Sequence, residues 1–77
     1  MVCFEIYTND GRLDRSFLCR DGHFGDEQYM NMYDYLTRRF NLEHDEAENA
    51  VCWCELAPVG ETYEADDFEI YVTEEQE

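Results

Sequence analysis

Val2-Cys3-Phe4-Glu5-Ile6-Tyr7-Thr8-Asn9-Asp10-Gly11-Arg12-Leu13 is the stretch on which the fold turns. In an extended chain Val2, Phe4 and Ile6 point one way and Cys3, Glu5 and Tyr7 the other, because successive side chains of a strand face opposite sides. An apolar side backed by a mixed one describes a strand covered on a single face. Asp10-Gly11 supplies two adjacent residues that accept positive φ, which a two-residue hairpin turn demands. With that pair at the tip, the returning strand runs over 13–20 and sets Phe4 opposite Phe17, Val2 opposite Cys19 and Thr8 opposite Leu13. Apolar residues meet apolar residues, which is how a buried face selects its register.

Beyond the hairpin, Asp21-Gly22-His23-Phe24-Gly25 reads as a loop. A helix is predicted over 26–41, with Asp26 as N-cap and Glu27 in the first turn, where the helix dipole favours acids. Tyr29, Met32, Tyr33, Leu36 and Phe40 form its apolar stripe, and Arg38 and Arg39 suit its last turn. Residues 43–49 read as a polar connection or a short extra helical turn, and 50–56 as a strand. Pro58-Val59-Gly60 is a turn, 61–66 an acidic loop, 67–73 the last strand, and 74–77 a frayed acidic tail.

The expected fold is therefore α+β: an antiparallel sheet of about four strands, in the order ββαββ, with one helix packed on one face. Under the helix lie Val2, Phe4, Ile6, Phe17, Cys19, Phe68, Ile70 and Val72; the open face carries Glu5, Tyr7, Asp14, Glu55, Glu69 and Tyr71. The 77 residues fit a single domain, 1–77, whose small core gives modest stability.

Charge is the next constraint. The net charge is −15, from 20 Asp and Glu against five Arg, and there is no Lys. Residues 1–42 hold seven acids and all five Arg, whereas 43–77 hold thirteen acids and no Lys or Arg. Such a surface repels nucleic acid and anionic membranes, so neither is an expected direct partner, and a cationic protein surface is. Adaptation to a salt-rich cytoplasm also produces acidic, Lys-poor chains, but that pressure acts on a whole sequence rather than on one half. The start, Met1-Val2-Cys3-Phe4-Glu5, has no basic run followed by an apolar one, so a cytoplasmic protein with reduced thiols is expected.

The chemistry-bearing residues point away from catalysis. Cys52-Trp53-Cys54 with Cys3 and Cys19 lacks the spacing of zinc pairs; on a strand Cys52 and Cys54 would share a face about 6.7 Å apart, too far for one ion. Core thiols are the plainer reading, and no metal or cofactor is called for. His23 and His44 are isolated histidines of polar loops. No nucleophile elbow, phosphate loop or dinucleotide motif occurs, and a core this small leaves little room for an acid–base cleft, so no catalytic residue is assigned.

What remains is the pattern of acids and tyrosines. Glu55, Glu61, Tyr63, Glu64, Asp66, Asp67, Glu69, Tyr71, Glu74 and Glu75 are the candidate partner-binding residues. Carboxylates at alternate strand positions recur every ~6.7 Å, and duplex DNA carries one charge per ~3.4 Å of each strand. A groove of Lys and Arg built for phosphates can accept such a line, with Tyr and Trp as anchors. This profile, under 80 residues, α+β, strongly acidic and without a catalytic motif, resembles the small acidic inhibitors encoded by bacteriophages, chiefly anti-CRISPR proteins and anti-restriction DNA mimics. The resemblance implies a host nucleic-acid-binding protein as target, for example the basic channel of a CRISPR–Cas effector. An antitoxin or regulator neutralising a basic partner uses the same electrostatics. The four Cys are also compatible with a small Cys-dependent metal-binding domain, and the acidity with a halophile housekeeping protein. Trp53, Leu18 and Val51 are the residues through which a homodimer could form.

Overall fold

The computed structural model describes residues 1–19 and 24–74. The chain runs β1 (Val2–Thr8), β2 (Leu13–Cys19), α1 (Asp26–Phe40), α2 (His44–Leu56), β3 (Thr62–Glu64) and β4 (Phe68–Glu74). The four strands form one antiparallel sheet in the order β2-β1-β4-β3. Both helices pack on one face of it, so the fold is α+β with a ββααββ order rather than ββαββ.

Two corrections create that difference. Residues 44–56 are one continuous helix, not a polar connection or short helical turn followed by a strand. Ala47, Ala50, Val51 and Cys54 recur at i, i+3, i+4 and i+7 and are all buried, the signature of one helix face. The acidic segment 61–66 contains the short strand β3 at 62–64. Glu55 accordingly sits on α2, not on the open sheet face, and Val51 is wholly buried while Trp53 is half-buried, which removes both from an exposed dimer surface. The loop residue His23 and Arg20 lie outside the described residues.

The β1–β2 hairpin departs from its expected geometry in an instructive way. The Thr8 N–H bonds the Arg12 carbonyl at 2.8 Å and the Gly11 N–H bonds the Thr8 carbonyl at 2.9 Å. Asn9-Asp10-Gly11 is thus a three-residue loop, with Gly11 at φ 86 as the left-handed residue such loops require. A three-residue loop shifts the register by one, so Tyr7, not Thr8, stands opposite Leu13. A bulge between Ile6 and Tyr7 restores the register: Ile6 faces Arg15, Phe4 faces Phe17 and Val2 faces Cys19. The extra residue is Asp14. Instead of lying on the open face, it turns to the helix side, where it accepts hydrogen bonds from the Tyr35 hydroxyl and from Arg39 Nε, the latter at 3.2 Å.

The core lies between sheet and helices. Phe4, Ile6, Phe17, Cys19, Phe68, Ile70 and Val72 supply the sheet side; Met32 and Leu36 of α1 and Ala50, Val51 and Cys54 of α2 close it. Burial of each large apolar side chain contributes about 1.5–3 kcal/mol. α1 begins at Asp26 as expected, but its N-cap is Gly25 rather than Asp26, so Asp26 and Glu27 both occupy its first turn; Asn41 ends it in the left-handed conformation. A ring series, Phe40 on Phe68 at 4.8 Å, Phe68 to Tyr63 at 6.2 Å and Tyr63 to Trp53 at 5.3 Å, links α1, β4, β3 and α2. No helix among the described residues is long and apolar enough to cross a membrane.

Candidate interaction surface

The strand order turns a partition of charge along the sequence into one in space. β2 and β1 form one half of the sheet and β4 and β3 the other. The described arginines belong to the first half or to the last turn of α1, where Arg12, Arg15 and Arg39 are engaged. Arg12 lies 3.8 Å from Asp10, Arg39 bonds Asp14, and Arg15 lies over the rings of Phe17 and Tyr35 at 4.6 and 5.5 Å. The second half and α2 present carboxylates and, among Lys and Arg, no base.

The open face of the sheet can be read off the pairing, since directly opposed residues share a face. One row crosses all four strands as Leu13, Tyr7, Glu69 and Glu64; the next runs Ser16, Glu5, Tyr71 and Thr62; a third holds Leu18, Cys3 and Thr73. Glu64, Glu69 and Tyr71 are thereby brought together with Glu5 and Tyr7. Tyr7 and Tyr71 meet edge to face at 5.1 Å, and the Tyr71 hydroxyl donates to Glu69 Oε2 at 2.9 Å. That hydrogen bond to an anion, with the Glu69 charge itself, raises the Tyr71 pKa and keeps the phenol protonated. Glu5, Tyr7, Gly11, Glu69, Tyr71 and Thr73 line a shallow hollow of about 330 Å³.

A second group gathers at the tip of the β3–β4 hairpin. The Ala65 N–H bonds the Phe68 carbonyl at 2.9 Å, leaving Asp66 and Asp67 exposed at the turn. Glu46 and Asn49 of α2 join them around a hollow of about 250 Å³. Tyr63 borders this hollow but is held between Trp53 and Phe68, and its pKa is raised by burial, with Cys54 and Glu46 adding to the effect. It therefore braces the acidic rim rather than projecting from it. Asp67 also lines a hollow of about 640 Å³ beside Arg12 and Arg39, where Asp10 and Asp14 already offset the guanidiniums.

The remaining residues lie at the other end of the sheet. Glu74 stands opposite Val2, Glu55 shares a hollow with Val2, and Glu61 is exposed at the start of β3. Glu75 lies outside the described residues. The carboxylates thus divide among the open face, the hairpin tip and the outer side of α2, each bordering the β3–β4 half. Reading 43–49 as a connection hid the contribution of Glu43, Asp45, Glu46 and Glu48, all exposed at the start of α2; the spacing of Ala47, Ala50, Val51 and Cys54 is the signal that reveals them. Glu5 and Tyr7 were placed on the open face by their alternation, but their proximity to Glu69 and Tyr71 follows only from the β1–β4 pairing.

The thiols and imidazole take ordinary places. Cys3, Cys19 and Cys54 are buried and Cys52 is exposed, because two residues along a helix turn a side chain by about 200°. This replaces the expectation that Cys52 and Cys54 share a strand face. Burial pushes the Cys54 thiol up to about 12. Among the described residues no group of three or more His, Cys, Asp or Glu could hold a metal ion. His44 opens α2, where its Nδ1 is 2.7 Å from the Tyr33 hydroxyl and its Nε2 is 2.7 Å from Glu48. It ties the two helices together. A scan against family models and searches of curated proteins and of solved structures find no match to this chain.

Proposed function

We propose that this protein is a non-enzymatic acidic inhibitor that seats its α2 and β3–β4 flank on a basic, nucleic-acid-binding surface of another protein. The observation that carries this reading is the retention of carboxylates where the fold itself disfavours them. Glu64 is set directly opposite Glu69, and Glu55 occupies the last turn of α2, which has no base. Like charges across a pair and acids at a helix C-terminus both cost stability. A chain with five Arg places none of them there, so the anionic flank is maintained against local energetics. A flank of this sign is complementary to a groove that grips phosphates, and it repels nucleic acid itself.

Each exposed ion pair contributes only about 0.2–1 kcal/mol. Affinity must come from many pairs formed together, with Tyr7 and Tyr71 as desolvated anchors on the open face. The target would be a cytoplasmic nucleic-acid-binding protein or complex, as for a phage-encoded anti-CRISPR or DNA mimic. The test is capture of partners from a host lysate at two salt concentrations, followed by competition with duplex DNA. Binding that weakens with salt, is displaced by DNA, and is lost on joint reversal of Glu64, Asp66 and Asp67 to Lys supports the reading. A captured partner indifferent to DNA and to that triple reversal would refute it.

A further inference from the structure

The two edges of the sheet are built differently. β3 is three residues long, begins after Pro58-Val59-Gly60-Glu61 and ends at Glu64-Ala65-Asp66. Short length, proline and charge are the devices by which proteins stop an edge strand from recruiting another. β2 has neither of the first two. It is seven residues long, contains no Pro or Lys, and among the described residues pairs only with β1. Its bulge lies at the hairpin end, leaving a regular stretch from Arg15 to Cys19. Leu13 and Leu18 on its open-face side are 53% and 39% exposed.

We propose that β2 pairs antiparallel with β2 of a second copy of this chain, giving a two-fold dimer with a continuous eight-stranded sheet. Electrostatics selects this edge. Strands lie about 4.8 Å apart, so joining two β3 edges would bring Glu61, Glu64 and Asp66 of both copies within one strand spacing. Joining two β2 edges leaves the β3 strands seven spacings apart, about 34 Å. That distance is roughly four Debye lengths at about 0.15 M salt, so the mutual repulsion of the acidic flanks is largely screened. Opposed residues must share a face, and placing Ser16 opposite itself also sets Arg15 of one copy against Phe17 of the other. Arg15 already lies over its own Phe17 ring, so the same cation–ring chemistry serves across the interface. The pairing leaves α2 and β3–β4 free on both copies.

Sedimentation of the full chain, up to about 1 mM protein in about 0.15 M salt, tests this. The expected species has twice the 9.3 kDa chain mass. Ser16→Lys separates pairing from folding. Within one copy the new ammonium faces Glu5, which favours the fold; across the two-fold it faces its own copy, which opposes the dimer. The expected result is a monomer with an unchanged circular dichroism spectrum, while Glu61→Lys at the other edge leaves the dimer intact. A wild-type chain that stays monomeric throughout, or a dimer that survives Ser16→Lys, overturns the proposal.

Discussion

Glu64 of β3 and Glu69 of β4 are direct cross-strand partners on the open face of the sheet, with no base in either strand to separate them. Glu69 is additionally held by the Tyr71 hydroxyl at 2.9 Å, so the pair cannot relax freely by turning both carboxylates away. Replacing Glu64→Thr removes the repulsion and adds a strand-favouring side chain. We expect a gain of roughly 0.2–1 kcal/mol, seen as a higher urea midpoint with unchanged slope, and, under the proposed function, weaker binding to a cationic partner. A loss of stability would show that Glu64 has a structural role which the pairing does not explain.

Glu55 raises the same question on a helix. The carbonyl end of α2 carries partial negative charge, and the last turn holds Glu55 and no base. Glu55→Lys reverses an unfavourable interaction of about 0.3–1 kcal/mol. For a domain of this size that corresponds to a rise in Tm of several degrees, at roughly 4–8 °C per kcal/mol. The substitution should also lower partner affinity. Stability and affinity moving together, in either direction, would count against the view that function maintains this acid.

Much of the sheet was legible because its signals are local. Alternation in 2–8 and 68–72 fixed which side chains are covered, and Phe4 opposite Phe17 followed from matching apolar positions. The hairpin loop was not legible, because Asp10-Gly11 satisfies a two-residue turn as well as the end of a three-residue one. The choice is made by Asp14, whose bulged carboxylate finds Tyr35 and Arg39 on α1, more than twenty residues away. α2 was misread because Val51-Cys52-Trp53-Cys54 favours strands in isolation. Its helical spacing wins because Ala50, Val51 and Cys54 join the core with Met32 and the sheet residues, and Ala47 on the same helix face is buried too. Composition revealed the acidic half, while its disposition on the open face, the hairpin tip and α2 depended on the strand order.

The ring series makes a separate prediction about Tyr63. It was expected to anchor a partner, yet Trp53 and Phe68 grip it on either side. Trp53→Ala should therefore destabilise the fold by about 2–4 kcal/mol, somewhat below the ~3–5 of a wholly buried ring, as followed by circular dichroism during urea unfolding. Tyr63→Phe keeps the stack and should leave both stability and binding nearly unchanged. Strong loss of binding by well-folded Tyr63→Phe would restore the hydroxyl as a recognition group.

Alkaline pH gives the sharpest test of the packing. Burial raises the Cys54 thiol from 9.0 to about 12, burial and the Asp14 hydrogen bond raise Tyr35, and burial raises Cys19 and Tyr63. For each, the folded state holds its proton at a pH where the unfolded chain has released it. The stabilising contribution is therefore complete below the unfolded pKa and declines as pH rises from about 9 towards 12 for Cys54. At ~1.4 kcal/mol for each pKa unit, the thiol alone can withdraw up to roughly 4 kcal/mol across that interval, a large fraction of a small domain's stability. Tm should hold steady up to the unfolded thiol pKa and fall steeply above it. Cys54→Ala should lower Tm at neutral pH through lost contact with Met32, yet flatten the alkaline decline, because the most deeply buried of the raised thiols is gone. A decline equally steep in that variant would assign the effect to Cys19 and the tyrosines, and a flat profile in the parent protein would mean that Cys54 is not sealed between α1, α2 and the sheet.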